Sequence, residues 1–143
     1  MSEADEAVVV ARQWVEKAEN DLLNANHTLK LGATCPTDTV CFHAQQCVEK
    51  YLKAILSLRG IDFPKTHNIA ELVGRLPRNI SLSFSVEEQE LLTDYATVTR
   101  YPGDYEPITL KEARQAVKVV KRLRQALRKY LPKTVLSQRL PGQ

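Results

Sequence analysis

Residues 39–60 read TVCFHAQQCVEKYLKAILSLRG, and this stretch is the strongest indication of the fold class. It is rich in Ala, Val, Leu and Phe, and Gly60 provides a stop signal because glycine ends many helices. The stretch therefore predicts a long buried helix from about Thr39 to Arg59. Thr37 or Asp38 is expected to cap its start by accepting free amide hydrogens.

Further helices are predicted on either side of this stretch by the same start and stop signals. The first spans about residues 4–31, with Trp14 opening a series of apolar residues at three- and four-residue spacing. Two shorter helices are expected at about 69–76 and 85–99, and a last helix with a one-sided apolar stripe at about 109–131. Capping pairs three residues apart mark three of the starts: Asn68 with Glu71, Ser85 with Glu88, and Thr109 with Glu112.

These segments predict an all-α protein, an antiparallel up-and-down bundle of four to five helices. A length of 143 residues suits one domain, and a hydrophobic content of 43% is that of a globular protein. Five glycines argue against an all-β or loop-rich fold. We expect the bundle to occupy residues 1–132, followed by a flexible tail at residues 133–143.

Several function classes are disfavoured by composition. No apolar run approaches a membrane span, and the acidic residues 1–6 lack the basic charge of a secretory signal, so a cytoplasmic protein is expected. The three cysteines lack the spacing of a zinc site or redox pair. His43 and Cys47 supply only two metal ligands, so neither a metal site nor a cofactor is predicted.

The positive charge of the chain is concentrated in its last helix. Residues 109–133 contain nine Lys and Arg residues and one acidic residue, Glu112, so the segment carries +8 and the rest of the chain −5. Such a helix fits nucleic acid, because Lys and Arg replace counterions around phosphates. A solvated face and a docking surface for an acidic partner are the alternatives.

One face of the helix at 39–59 is a candidate binding surface. Gln46, Glu49, Lys50 and Lys53 lie at spacings of three and four residues and therefore share this face. A mixed stripe of acid, base and amide fits a phosphate, a base edge or a partner helix. The alternative is a solvated face on which Glu49 and Lys53 form an ordinary surface ion pair.

The connector at residues 99–107 is a second candidate. Two prolines and a glycine restrict its backbone, and it displays Arg100, Tyr101, Asp104 and Tyr105. Arginine matches phosphate with paired donors, and tyrosine rings stack on bases. The alternative is that Arg100 pairs with a helix-end carboxylate while the tyrosines seal the end of the bundle.

His67 is a third candidate because it precedes a predicted helix start. An imidazole can act as acid or base near neutral pH, and helix starts attract anions. The alternative is a histidine that caps and packs. His67 and Arg100 are the two catalytic candidates of the sequence.

Taken in order, these three segments resemble the HEPN domain family (higher eukaryotes and prokaryotes nucleotide-binding). The likeness covers about residues 11–131 and includes the Arg-Tyr-Pro motif of one branch of the family. It is carried by Phe42, Ala44, Gln46, Glu49, Lys50, Leu52, Lys53, Ala54, Gly60, Thr66, His67, Asn68, Ile69, Leu72, Arg100, Tyr101 and Pro102. The family's fold is an up-and-down bundle of four or five helices that usually forms dimers. The resemblance therefore implies a homodimer, for which Trp14 and its apolar neighbours are candidate contacts.

The resemblance implies a component of a toxin–antitoxin-like pair that works with a minimal nucleotidyltransferase. Ribonucleases of the family carry an Arg, four to six residues, and a His, and cut RNA without metal. The nearest approach to that signature here is Arg59 and His67, with seven residues between them, so the signature is absent. A nucleotide- or partner-binding role is favoured; the alternatives are a metal-independent ribonuclease and a structural helical adaptor.

Overall fold

The described part of the computed structural model, residues 1–97 and 106–137, consists of helices and their connections. It contains helices α1 (Glu3–Leu29), α2 (Thr37–Leu58), α3 (Ile69–Gly74), α4 (Val86–Tyr95), α5 (Leu110–Arg128) and α6 (Lys133–Leu136), and a 3₁₀ turn at Gly32–Thr34. No β-strand occurs within these two ranges, which confirms the all-α class. None of their helices is both long and apolar enough to cross a membrane.

The four longest helices run alternately up and down, as predicted. A short connection makes α1 and α2 antiparallel neighbours. The starts of α2 and α5 meet where the Thr37 hydroxyl donates to the Ile108 carbonyl at 2.6 Å. Arg122, in the second half of α5, pairs with Glu88 at the start of α4 at 3.0 Å, so α4 runs antiparallel to α5. The expected antiparallel bundle is thereby confirmed.

The capping predictions differ in outcome. Asn68, Ser85 and Thr109 each accept the amide hydrogen three residues ahead, as predicted. The prediction for the start of α2 holds in part: Asp38 accepts the amide hydrogen of Thr39 at 2.9 Å, but the helix begins at Thr37 and its N-cap is Pro36, which makes no side-chain capping bond. The Thr37 hydroxyl is bonded to the start of α5 instead, a contact between residues far apart in sequence.

Helix α2 is the central element of the bundle. From Val40 to Leu56 nearly every side chain is buried, around the whole circumference of the helix. Such burial requires neighbours on several sides, and α1, α3, α4 and α5 all pack against α2. Its thiols, Cys41 and Cys47, are free and buried. Burial, together with the charge of Glu112, raises the pKa of Cys41 to about 12, so this thiol stays protonated at neutral pH.

A polar junction joins α1, α2 and α5. Arg124 donates two hydrogen bonds of 2.6 Å to Glu19, and the buried Tyr51 hydroxyl donates to the same carboxylate at 2.6 Å. Arg128 in turn donates to the Tyr51 oxygen at 2.8 Å. Burial alone would raise the pKa of Glu19, but the bonds from Arg124 and Tyr51 outweigh it and lower the pKa. The carboxylate therefore stays charged and fixes the crossing of the three helices.

Residues 133–136 differ from the flexible tail that the sequence suggested. They form α6, which packs on α1 with Val135 only 1% exposed. The Arg12 guanidinium donates to the Thr134 carbonyl and fixes this contact from the α1 side. The flexible tail therefore does not include these four residues.

Truncating the α6 anchor should weaken the bundle. We expect Val135→Ala to lower the free energy of unfolding by about 1–3 kcal/mol, because it leaves a cavity against α1. Urea denaturation followed by circular dichroism measures this change. Lys133→Ala, at an exposed position of the same helix, is the control and should change stability by less than about 0.5 kcal/mol. Equal stabilities of all three proteins would contradict the packing of α6.

Candidate binding surface on helix α2

The carboxylate of Glu49 is the centre of a buried polar network. Glu49 is 2% exposed. Its Oε1 atom accepts hydrogen bonds from Gln45 at 2.9 Å, from Gln46 at 3.3 Å and from His67 Nδ1 at 2.9 Å. Its Oε2 atom accepts from Lys53 at 2.9 Å. The network links α2 to the connection that precedes α3.

Lys53 is part of this network and is nearly buried. Its ammonium group lies 5.4 Å from the ring centre of Trp14 and 5.9 Å from that of Phe63. The two rings also contact each other edge to face, with centres 6.5 Å apart. Cation–π attraction and the bond to Glu49 together hold the ammonium group in place. Lys53 and Glu49 thus form an internal ion pair, in contrast to the solvated pair considered from the sequence.

The hydrogen bonds determine the ionisation of Glu49. Burial alone would raise the pKa of this carboxyl group, but the bonds from Gln45, Lys53 and His67 outweigh it and lower the pKa. A carboxylate only accepts, so the Nδ1 atom of His67 must carry the hydrogen. When the ring is neutral, its free lone pair therefore lies on Nε2; the His67 side chain is 53% exposed.

A second carboxylate repeats this arrangement between α1 and α2. Asp21 of α1 is buried, and it accepts from His43 Nδ1 at 2.8 Å and from Lys50 at 2.5 Å. His43 and Lys50 are both partly exposed, at 33% and 19% of their side chains. His43 on α2 and His67 next to α2 are therefore each oriented by a buried carboxylate, and each ring directs its Nε2 atom away from that carboxylate.

These groups form one surface, which we call the α2 polar strip. Gln46 connects its two halves because its amide donates to Gln45 and Glu49 and it lies one helical turn from both His43 and Lys50. Lys50 and the two imidazoles are the solvent-accessible groups of the strip. The buried carboxylates hold them in position. The strip comprises Asp21, His43, Gln46, Glu49, Lys50 and His67.

The structure brings together only part of the predicted site. Gln46, Glu49, Lys50 and Lys53 lie close together, and His67 joins them through Glu49. Gln46, Glu49 and Lys53 are buried, so Lys50 is the most open of the four. Trp14, expected at a dimer contact, is partly buried and contacts Phe63 and Lys53 of its own chain. The remaining predicted residues, Arg100, Tyr101, Asp104 and Tyr105, lie outside the described residues.

Sequence reasoning missed three members of this region. Asp21 and His43 form a pair over 22 residues, and no local spacing indicates it. Gln45 was visible as the first of two glutamines on the helix that holds Glu49. A polar residue inside a buried segment is a signal in its own right, because such groups need hydrogen-bond partners.

The fold and the strip define an all-α protein of the up-and-down bundle class. Residues 11–130 match the family model of the HEPN domain. The chain therefore belongs to the HEPN family.

Known relatives agree with this assignment. The chain is similar to a protein of Methanocaldococcus jannaschii, "Putative toxin MJ1304", with 28% identity over 141 residues, 85% of this chain and 88% of that protein. It is also similar to the crystal structure of TT1696 from Thermus thermophilus, with a TM-score of 0.73 and 30% identity over 85% of this chain and 98% of that one. ST0689, an archaeal HEPN homologue, gives a TM-score of 0.65 and 26% identity over the same shares.

Removing the buried charge of Glu49 should change how stability depends on pH. The folded-state pKa of Glu49 is lowered, so its ionised form stabilises the protein above the ordinary value of 4.5. This contribution is lost as the pH falls through the folded pKa. We expect Glu49→Gln to cost about 3 kcal/mol at pH 7, because the buried Lys53 loses its counter-charge.

Urea titrations of both proteins between pH 7 and pH 3 measure this effect. The gap in unfolding free energy between wild type and Glu49→Gln should narrow as the pH falls. Glu90→Gln, at an exposed position of α4, is the control and should stay within about 0.5 kcal/mol of wild type. A gap that is constant with pH would show that Glu49 is not ionised in the folded protein.

Proposed function

We propose that this chain is the toxin-like component of a toxin–antitoxin pair and that it binds a nucleotide or a partner protein through the α2 polar strip. The observation that carries the proposal is the pairing of open cationic or basic groups with buried carboxylates in the strip. Lys50 and the Nε2 atoms of His43 and His67 are held in fixed positions by Asp21 and Glu49. The pre-oriented ammonium group of Lys50 binds phosphate or an acidic side chain with little loss of entropy, and the Nε2 atom of each imidazole adds a donor when the ring is protonated.

Membership of the HEPN family and the name of the Methanocaldococcus jannaschii relative support the toxin part. We further propose that the partner is a minimal nucleotidyltransferase encoded nearby and that the chain acts in the cytoplasm as a homodimer. Arg100, Tyr101, Asp104 and Tyr105 would complete the binding site, with the guanidinium contacting phosphate and the phenol rings stacking on a base.

Binding through the strip should depend on Lys50. We expect wild type to bind ATP or another nucleotide, alone or together with the nucleotidyltransferase encoded beside it. Lys50→Ala should weaken that binding about tenfold or more, since a charge-assisted hydrogen bond to phosphate is lost. Isothermal titration calorimetry measures the affinities. Lys30→Ala, at an exposed position beyond α1, is the matched control and should bind as wild type does.

The same proteins test the toxin part in cells. Expression of the chain alone should arrest bacterial growth, and co-expression of the partner should restore it. If growth continues normally and no nucleotide binds by either route, the chain is a structural adaptor and the proposal fails.

A metal-independent ribonuclease is the second candidate, and the geometry of His67 favours it. Its Nε2 lone pair is open while Glu49 holds Nδ1–H, the arrangement of a general base. In such a reaction Nε2 takes the proton of a ribose 2′-hydroxyl, whose oxygen attacks the adjacent phosphorus. The bond between phosphorus and the 5′-oxygen breaks as the new bond forms, and the leaving 5′-oxygen takes a proton from water. The products are a 2′,3′-cyclic phosphate and a 5′-hydroxyl end.

RNA cleavage in the presence of EDTA tests this second candidate. His67→Ala should reduce the cleavage rate at least about 100-fold, the usual contribution of a general base. Arg100→Ala should reduce it by about as much, because a donor to the charged phosphate is lost. His27→Ala, at an exposed position of α1, is the control and should cleave as wild type does. Cleavage that persists in both variants would show that neither residue is catalytic.

A further inference from the structure

The outer face of α5 carries a single-sign row of cations. We call Lys111, Arg114, Lys118, Lys121 and Lys129 the outer α5 stripe; all five are exposed. At 3.6 residues per turn they fall within an arc of about 80° and along about 27 Å of helix. Within residues 1–97 and 106–137 none of the five has an ion-pair or hydrogen-bond partner.

The other arginines of α5 are engaged within the fold. Arg122 contacts Glu88, Arg124 grips Glu19, and Arg128 donates to Tyr51. The buried stripe of α5 lies opposite the outer α5 stripe, with Val120 and Leu127 among its members. The basic residues of α5 therefore form two groups. The three arginines at its flanks bind other parts of the fold, and the outer α5 stripe is unpaired and faces outward.

An ordinary solvated face does not account for this row. Solvated helix faces usually mix both signs, and Glu–Lys pairs four residues apart stabilise them. Here residues 113–136 contain no acidic residue at all. Like charges at Arg114 and Lys118, and again at Lys118 and Lys121, repel one another along the helix. A bound polyanion would remove this repulsion.

A protein partner fits the row poorly. Protein interfaces have an apolar or aromatic centre and are depleted in lysine there. The exposed large hydrophobic residues of the described chain include Val9, Leu23 and Leu91, and none of them belongs to α5. An apolar groove between α4 and α5, with Leu91 and Val119 in its lining, reaches only Lys111 of the stripe, and the other four cations do not line it. Cations without an apolar anchor are typical of contact with phosphate groups.

We infer that the outer α5 stripe binds the phosphate backbone of a single nucleic-acid strand. A flexible strand can follow a straight row of cations, whereas the phosphates of a rigid duplex curve away from it. Binding is independent of base sequence, because the stripe has no aromatic ring on which bases could stack. The inference goes beyond the proposed function and does not require the α2 polar strip.

Salt dependence gives the sharpest test. Fluorescence anisotropy of a labelled 20-nucleotide uridine RNA measures binding to the full chain between 50 and 200 mM salt. Five phosphate contacts predict a slope of about −3.5 for log K against log salt, which is a loss of about 100-fold in affinity over this range. The thymidine DNA of equal length should bind with the same slope.

Charge-neutral variants locate the contact. Lys118→Gln/Lys121→Gln removes two cations of the outer α5 stripe and should reduce the slope to about −2. Lys17→Gln/Lys30→Gln is the matched control: it removes the same charge at exposed positions of α1 and its C-cap and should leave the slope unchanged. The Lys118→Gln/Lys121→Gln variant should bind ATP as wild type does, which separates this inference from the proposed function.

Four outcomes would overturn the inference. The first is an absence of RNA binding at 50 mM salt, and the second is an equal loss of affinity in the two double variants. The third is equal binding of a polyglutamate peptide, which would assign the stripe to an acidic protein partner. The fourth is tighter binding of a 20-base-pair duplex than of the single strand. Circular dichroism should show unchanged melting temperatures for both double variants, since all four positions are exposed.

Discussion

The buried charge of Glu49 is the constraint on which the rest of the structure depends. A carboxylate that is 2% exposed would be costly if it were not fully bonded, and four donors surround this one. Those donors come from α2 itself and from the connection before α3, while Lys53 extends the network to Trp14 of α1. Because each donor is needed, the three elements must keep one relative position. A polar group thereby specifies the packing that apolar contacts alone would leave adjustable.

The same constraint produces the open groups of the α2 polar strip. A buried carboxylate accepts one imidazole hydrogen, so the ring is fixed in orientation and its second nitrogen faces outward. This happens twice, at Glu49 with His67 and at Asp21 with His43. Among the described residues no buried side-chain nitrogen or oxygen lacks a hydrogen-bond partner. The strip is therefore preorganised, and a ligand would meet groups whose positions the core has already set.

The sequence allowed the helices to be predicted well and the site only in part. Helix starts depend on contacts three residues apart, as at Ser85 and Thr109, so local spacing is sufficient to find them. Spacing also placed Gln46, Glu49 and Lys53 on one face. Whether that face is exposed or buried depends on aromatic rings that are distant in sequence. Asp21 lies 29 residues from Lys50, and a contact over such a distance leaves no periodic signal. Similarly, the Thr37 hydroxyl contacts the chain at Ile108, which explains why Thr37 does not cap α2.

The arginine and lysine side chains of α5 differ in whether they contact residues distant in sequence. Arginine offers several donors in one plane, and Arg124 uses them on both oxygens of Glu19, a residue of another helix. Lysine carries a compact, strongly hydrated charge, and four of the five residues of the outer α5 stripe are lysines. Helix α5 thus uses arginine where it contacts other helices and exposes mainly lysine where it makes no internal contact. A row of hydrated point charges imposes little geometry on its ligand, which fits a flexible phosphate backbone better than a shaped protein surface.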